Sequence, residues 1–418
     1  MSEGRNSDSS LLGVITIWGE PVFLLIITPS PVTHMYMVCL DSKVSAFMDN
    51  LFVIQILLII PISIPFFYWL QMKILRQEIG ITDDSKMSES EIIVILPMKN
   101  EEKNVERKIS SVIPEILSYD SANLIVADSN STDGTFELAR SFLESSELDE
   151  NRWDIVNFSK PGKNVALNGV IGGNDSEIVV ISDADANVST GWLGIVRSRL
   201  DDEEIGVVSG IENVSKSGIG SFSSYYRRKS NHLRIIESEI DSTPVLEGSL
   251  LAWRRSALEG FRFSEKFNAD DAQLCLSTIR RGYRAIVDSR ITFEDFELRG
   301  RTFSESIRRA QGLSIALIKS ADLAIVGGRK KARRAVFNAI ALYVFFPWAA
   351  LFFTINSIIA LYISQGISNS WESYSVISIF LILLTPQGRS LAIGTIISNV
   401  AHVQAIIGKR YNKWEPVR

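Results

Sequence analysis

Residues 178–185 read Ile178-Val179-Val180-Ile181-Ser182-Asp183-Ala184-Asp185: four branched apolar residues, a serine, then two carboxylates one residue apart. A continuous apolar run this short is the pattern of a strand buried on both faces of a parallel sheet. Two runs of the same kind lie upstream. Glu91-Ile92-Ile93-Val94-Ile95-Leu96 stops at Pro97 and leads into Lys99-Asn100-Glu101, and Leu124-Ile125-Val126-Ala127 stops at Asp128-Ser129-Asn130. Gly206-Val207-Val208-Ser209 reads as a fourth strand. Helical patterns fill two of the gaps, from Glu102 to about Leu117 and from about Thr132 to Leu143. The Ser/Thr/Asp cluster before the second can cap its free N–H groups. Strands alternating with helices predict a parallel α/β sheet. Such sheets bind ligands beyond the carboxyl ends of their strands, and three strands here end on polar residues.

The 418-residue chain distributes its apolar residues unevenly. Hydrophobic content of 46% and charged content of 22% would suit a soluble protein, but the apolar residues gather at the two ends. Leu51–Leu70 carries no charge over twenty residues, enough to cross a hydrocarbon core of about 30 Å. Its two prolines are tolerated in a bilayer. Val336–Ile363 is a second span of this kind. Tyr374–Ile407 is broken at Pro386-Gln387-Gly388-Arg389, and reads as two short spans or one span with an interfacial helix. Leu11–Ile27 is a weaker candidate, interrupted by Glu20 and Pro21. Lys73 and Arg76 follow the first strong span, and Arg329-Lys330-Lys331 with Arg333-Arg334 precede the second. That bias predicts an integral protein of the cell membrane with its polar middle in the cytoplasm. The Asn-x-Ser/Thr triplets at Asn130, Asn157, Asn174, Asn187 and Asn213 are then chance matches. A net charge of −5 gives no case for nucleic acid as a partner. Two cysteines, Cys39 and Cys275, exclude a disulfide framework.

The pair Asp183 and Asp185 supplies hard oxygen ligands suited to Mg²⁺ or Mn²⁺ bound to a diphosphate. Asp-x-Asp pairs are common on surfaces; their place directly after a buried strand favours the functional reading. Asp128 opens Asp-Ser-Asn-Ser-Thr-Asp-Gly-Thr, a capped strand-to-helix turn that also offers a carboxylate to the base or ribose of a nucleotide. The ordered set of Leu96-Pro97-Met98-Lys99-Asn100-Glu101-Glu102, the Asp128 run, Gly162-Lys163-Asn164-Val165-Ala166-Leu167-Asn168 and Asp183-Ala184-Asp185 resembles the family-2 glycosyltransferases of GT-A fold. The resemblance covers about residues 91–312. It implies a Rossmann-like GT-A domain with transmembrane helices on both sides, and a nucleotide-sugar donor of the UDP or GDP type. Pro97, Lys99 and Glu101 fall where the family contacts the nucleoside, and Asp128 on the base-binding position. Lys163 falls near the nucleotide, although a solvated lysine would read the same. Asp183 and Ala184 fall on the nucleotide side of the acidic pair, and Asp185 on the metal ligand.

The resemblance extends to the acceptor side. Glu247-Gly248-Ser249 through Leu258 is similar to the segment that lines the acceptor, although a buried strand with a turn reads the same. Gly248 would allow close backbone approach. Asn268-Ala269-Asp270-Asp271 resembles the family's acidic pair at a helix start. The match puts the general base at Asp271, with Asp270 in place of the usual glutamate; two acids there would also suit the helix dipole. A base opposite the leaving diphosphate implies inversion at the sugar carbon. The processive members carry Gln-x-x-Arg-Trp. Here Glu305-Ser306-Ile307-Arg308-Arg309 keeps only the arginine, Arg308, for the diphosphate, which favours single transfer over polymer synthesis. A basic helix on anionic lipid headgroups is the plainer reading of that stretch.

These readings divide the chain into an N-terminal segment (1–50), a transmembrane helix (51–71), a linker (72–90), the catalytic domain (91–300), interfacial helices (301–335), a membrane region (336–407) and a cytoplasmic tail (408–418). Tethers on both sides of the domain predict an acceptor dissolved in the bilayer, a lipid-linked sugar or a glycolipid. A processive synthase would need the missing tryptophan. A non-catalytic protein on the same fold would lack acids at 183, 185 or 271, and a sugar nucleotidyltransferase would carry a glycine-rich signature after residues 92–96.

Overall fold

The computed structural model describes residues 12–17, 20–25, 31–76, 90–213, 222–267, 269–295, 302–363 and 371–409. The expected linker and tail lie mostly outside these residues. The first described elements form an antiparallel hairpin, β1 (Leu12–Ile17) and β2 (Glu20–Leu25). The weak membrane candidate Leu11–Ile27 is thus extended rather than helical where it is described, and Glu20 and Pro21 open its second strand. A long helix follows, α1 (Pro31–Leu75), which carries Pro61 and Pro65 inside it.

The central α/β domain begins with β3 (Ile92–Met98), α2 (Val105–Leu117), β4 (Ala122–Asp128), α3 (Thr135–Glu144), β5 (Trp153–Asn157) and α4 (Lys163–Gly172). It continues through β6 (Ile178–Ser182), β7 (Ala186–Val188), α5 (Trp192–Leu200), β8 (Ile205–Glu212) and α6 (Phe222–Ile240). It ends with β9 (Leu250–Arg254), α7 (Asp270–Arg280) and β10 (Arg284–Asp295). The sheet has eight strands in the order β5-β4-β3-β6-β9-β8-β10-β7. Its alternation explains the apolar runs. Ile93 and Ile95 of β3 face one layer with Ala166 and Leu167 of α4, while Ile92, Val94 and Leu96 face the other with Ile109 and Ile116 of α2. Each fully buried aliphatic side chain contributes roughly 1.5–3 kcal/mol of burial.

The expectation of a parallel sheet holds for six of the eight strands, β8 and β10 being parallel to each other and running the same way as β6. β5, β4, β3 and β6 are mutually parallel. β9 then runs antiparallel between β6 and β8, and β7 antiparallel at the edge beside β10. Leu250-Leu251-Ala252-Trp253 is as apolar as its parallel neighbours, because it too is covered on both faces; composition records burial and carries no strand direction.

Beyond the domain come α8 (Phe303–Lys319), α9 (Lys330–Ile340), a π-helical turn at Ala341–Phe345, α10 (Phe346–Ile363), α11 (Trp371–Leu384) and α12 (Pro386–Ile406). Among the described residues, two helical stretches are long and apolar enough to cross a membrane, Val44–Leu75 and Lys330–Ile363, with mean hydropathies of 2.3 and 1.9. Phe52, Leu57, Ile60, Phe66 and Phe67 stand exposed along the first. The two meet through a buried contact in which Gln55 donates to Ser357 at 3.1 Å, a polar contact of the kind that joins helices in lipid. The apolar stretch expected to break at Pro386 does so: α11 and α12 meet at 102°. α8 lies against α12, where His402 contacts both Ser314 at 2.9 Å and Trp348 at 3.0 Å.

Candidate active site

The all-parallel run β5-β4-β3-β6 places three strand ends side by side, because β3 pairs with both β4 and β6. Met98 lies opposite Asp128 in register, and Ile95 opposite Ile181. Lys99, Asn100 and Glu101, Asp128, and Asp183 therefore leave the sheet along one edge. Two asparagines make the turns: Asn100 has φ of 52° and Asn130 of 56°, left-handed values that asparagine accepts more readily than most residues. The β3 and β4 loops are then stitched together. Asn100 Oδ1 accepts from Thr132 N–H at 2.7 Å, and Glu101 N–H donates to Thr135 Oγ1 at 2.8 Å.

Asp128 is 1% exposed. Its Oδ2 accepts from Ser131 N–H at 3.1 Å, while its Oδ1 is buried with no partner. A buried carboxylate oxygen without a donor is costly, so this atom is set for a donor from outside the chain. Glu101 is partly buried, and burial, with Asp185, Asp183 and Asp133 nearby, raises its carboxyl to about 7 against the hydrogen bond from Asn104. Its carboxyl thus lies in the field of the acidic pair. Pro97 is buried at the end of β3, and Lys99 follows it half-buried.

Gly162 opens the next loop with φ of 148°, a value that excludes most side chains, and its N–H donates to Ser129 Oγ at 2.7 Å. Lys163 follows at the start of α4. It is not a solvated lysine: its ammonium lies 2.7 Å from Asp183 and 2.8 Å from Asp270. Burial works against that charge, yet Asp183 and Asp270 hold it above the ordinary lysine value. For Asp183 burial dominates and raises the carboxyl despite Lys163. Lys163 thus ties the β6 end to the start of α7. Ala184 is buried between the two acids.

The other wall comes from the approach to β9 and from α7 and α8. Ser249 O accepts the Asp183 N–H at 3.2 Å. A methyl group on Gly248 would sit 3.8 Å from Asp183 Oδ2 and 4.0 Å from Asp271 Oδ2, so this backbone lies between the two acids. Asp271 accepts from Ala272 N–H at 2.7 Å. Burial, then Asp270 and Glu247, raise its carboxyl to about 7, with Ala272 N–H and Arg309 pulling the other way. Ala269, just before the acids, has φ of 82°, a strained position for a residue with a Cβ.

Two features escaped the sequence. Arg309, noted only as a replacement for tryptophan, is an exposed residue of α8 whose charge lies in the field of the site's acids. Glu247, Asp185, Asp271 and Asp183 together hold the guanidinium above the ordinary arginine value. Burial and then Arg309 lower Arg308, with Glu305, Asp270 and Asp183 pulling the other way. The second is Glu247, which is ion-paired with Arg234; lying one residue before Gly248, it was read only as part of the strand approach. The helix that carries both arginines starts with a capping box, Thr302 accepting from Glu305 N–H and Glu305 from Thr302 N–H.

Residues 93–261 match the family model described as glycosyl transferase family 2. The resemblance read from the ordered motifs holds, and the domain is a glycosyltransferase of GT-A fold. The mannosyltransferase PcManGT from Pyrobaculum calidifontis, solved with GDP-Man and Mn²⁺, is similar at 24% identity and a TM-score of 0.72, covering 86% of this chain and 100% of that one. S. aureus TarS 1–349 with UDP-GlcNAc (16% identity, TM-score 0.45, covering 78% of this chain and 94% of that one) also aligns. So does glucosyl-3-phosphoglycerate synthase from Mycobacterium tuberculosis (20% identity, TM-score 0.40, covering 59% and 86%). Among curated proteins none matches the chain.

Proposed function

We propose that this protein is a membrane-bound, inverting glycosyltransferase that moves one sugar from a nucleotide-sugar to a lipid-linked or glycolipid acceptor at the cytoplasmic face of the cell membrane. The observation that carries this reading is that Gly248 lies between Asp183 and Asp271, at the sheet edge where the neighbouring strand ends on Asp128. Asp128 Oδ1, buried and unpartnered, is the acceptor for an N–H or O–H of the nucleoside, and Pro97, Lys99 and Glu101 border it.

The donor set fits a divalent cation shared with substrate. No group of three or more His, Cys, Asp or Glu side chains among the described residues could hold a metal alone. Mg²⁺ and Mn²⁺ complexed to phosphates need only one or two carboxylates from protein, and Asp185 with Asp183 would supply them. When bound, the cation neutralises the leaving diphosphate. Arg308 and Lys163 add fixed positive charge on the same side.

On the opposite wall, Asp271 takes the proton of the acceptor hydroxyl. The hydroxyl oxygen bonds to the anomeric carbon as the carbon–oxygen bond to the diphosphate breaks, and the electron pair leaves on the nucleoside diphosphate. A carboxyl raised to about 7 is matched to taking a proton at neutral pH. Arg309, in the place where polymerising relatives carry tryptophan, removes the aromatic platform for a growing chain, which supports single transfer.

The two apolar stretches support the membrane reading, and Lys73, Arg76, Lys330, Lys331, Arg333 and Arg334 at their domain-side ends support the cytoplasmic orientation. The test is incubation of membranes with labelled GDP-mannose and then with UDP-sugars, plus Mn²⁺ or Mg²⁺, followed by solvent extraction. Label in the organic phase is the expected result; label only in water-soluble product would refute the lipid acceptor.

A further inference from the structure

Lys108 is a charged side chain that the chemistry above does not use. It lies in α2 with no exposed surface, and it pairs with no carboxylate among the described residues. A buried ammonium held only by neutral acceptors is an expensive choice for a core position. Its two contacts show what it does. The Nζ donates at 2.7 Å to Ser182 Oγ and at 2.7 Å to the Ala186 carbonyl. These are the residues on either side of Asp183-Ala184-Asp185.

The contacts continue beyond the turn. Ser182 Oγ donates to the Ser249 carbonyl at 3.2 Å, the same oxygen that accepts the Asp183 N–H. The Asp183 carbonyl in turn accepts from Ala186 N–H at 3.3 Å. One ammonium therefore fastens both ends of the acidic turn to α2, and through Ser182 it reaches the segment that follows Gly248 beside Asp271. Its charge also faces Asp183 and Asp185 from beneath: burial lowers it to about 8, and the two acids act against that fall.

We propose that Lys108 is a positioning residue. It holds the Asp183–Asp185 turn at the spacing that lets its carboxylates share a divalent cation with a nucleoside diphosphate, and holds that turn in register with the acceptor wall. This rests on the reading of the two acids as the cation side of the site. If Lys108 served only the core, an apolar side chain of similar length would replace it without loss, since removing a buried charge in favour of packing is often neutral or stabilising.

Purified full-length Lys108→Met, Ser182→Ala and wild-type protein are titrated with Mn²⁺ by electron paramagnetic resonance, with GDP and separately with UDP, and melted in parallel. Lys108→Met is expected to melt at or above the wild-type temperature while its nucleotide-dependent Mn²⁺ affinity falls about 10-fold or more. Ser182→Ala moves the same way by less, with a lowered melting temperature because the buried ammonium loses an acceptor. In both variants nucleotide binding without metal stays as in the wild type. A folded Lys108→Met with wild-type Mn²⁺ affinity overturns the proposal, as does a parallel loss of melting temperature and metal-free nucleotide binding. If Lys108→Met does not fold, wild-type Mn²⁺ affinity in Ser182→Ala overturns it. A wild type that takes up no Mn²⁺ with either nucleotide refutes the cation reading itself, and the role of Lys108 with it.

Discussion

On the proposed donor side, Glu101, Asp128 and Asp183 stand at the ends of three adjacent parallel strands; on the proposed acceptor side, Gly248, Asp271 and Arg309 come from the approach to an antiparallel strand, a helix start and a helix outside the sheet. The first wall is fixed by the sheet itself. Its strand ends cannot move apart without breaking ladders buried on both faces. The second wall depends on long-range ties, chiefly Lys163 to Asp270 and Asp183, and the field of Arg309 on Asp271, Asp185 and Glu247. Binding strength should therefore follow changes on the first wall, and turnover changes on the second.

Asp271→Asn gives the largest effect. It should cut transfer by about 10²–10⁴-fold, the usual contribution of a general base, and leave GDP or UDP affinity as in the wild type. Equal losses in affinity and turnover would erase the proposed division of labour. Asp185→Ala comes next, lowering Mn²⁺-dependent nucleotide affinity by about 10–100-fold, at least the penalty seen for losing support around a metal. Calorimetry with and without Mn²⁺ checks this, and a variant that lost only metal-independent binding would move Asp185 off the cation.

The pH profile sharpens the comparison further. A base whose carboxyl sits at about 7 is protonated and idle below that pH, so turnover should rise as pH increases through it. Arg309 lowers that carboxyl, so Arg309→Met should shift the rising limb to higher pH. An unmoved limb would place Arg309 away from the base. The smallest effect belongs to Thr302→Ala, which removes half of the capping box of α8. It should cost about 1 kcal/mol of stability, read as a small fall in melting temperature, with a slight loss of turnover because α8 carries both arginines.

The same contrast explains what could be read before the structure. Buried parallel strands announce themselves as runs such as Ile92–Leu96 and Ile178–Ile181, so the sheet edge that gathers Glu101, Asp128 and Asp183 was legible. Strand direction was not: Leu250–Trp253 has the same composition as its parallel neighbours and runs the other way. Arg309 was legible as a departure from a pattern but not as a charge felt by Asp271, because nothing local connects positions in different helices. Lys108 left no signal, since a lysine in an amphipathic helix reads as solvated. The strain at Ala269 is equally silent in sequence, alanine being an unremarkable residue until its φ is known.

The most direct test of the central claim is calorimetry of GDP and UDP against wild type and Asp128→Asn, with Mn²⁺ present and then chelated. One nucleotide should bind the wild type in a Mn²⁺-dependent manner and bind the variant more weakly under both conditions. Binding that ignores both the chelator and the change at Asp128 would contradict a single nucleotide–cation site at the ends of β3, β4 and β6.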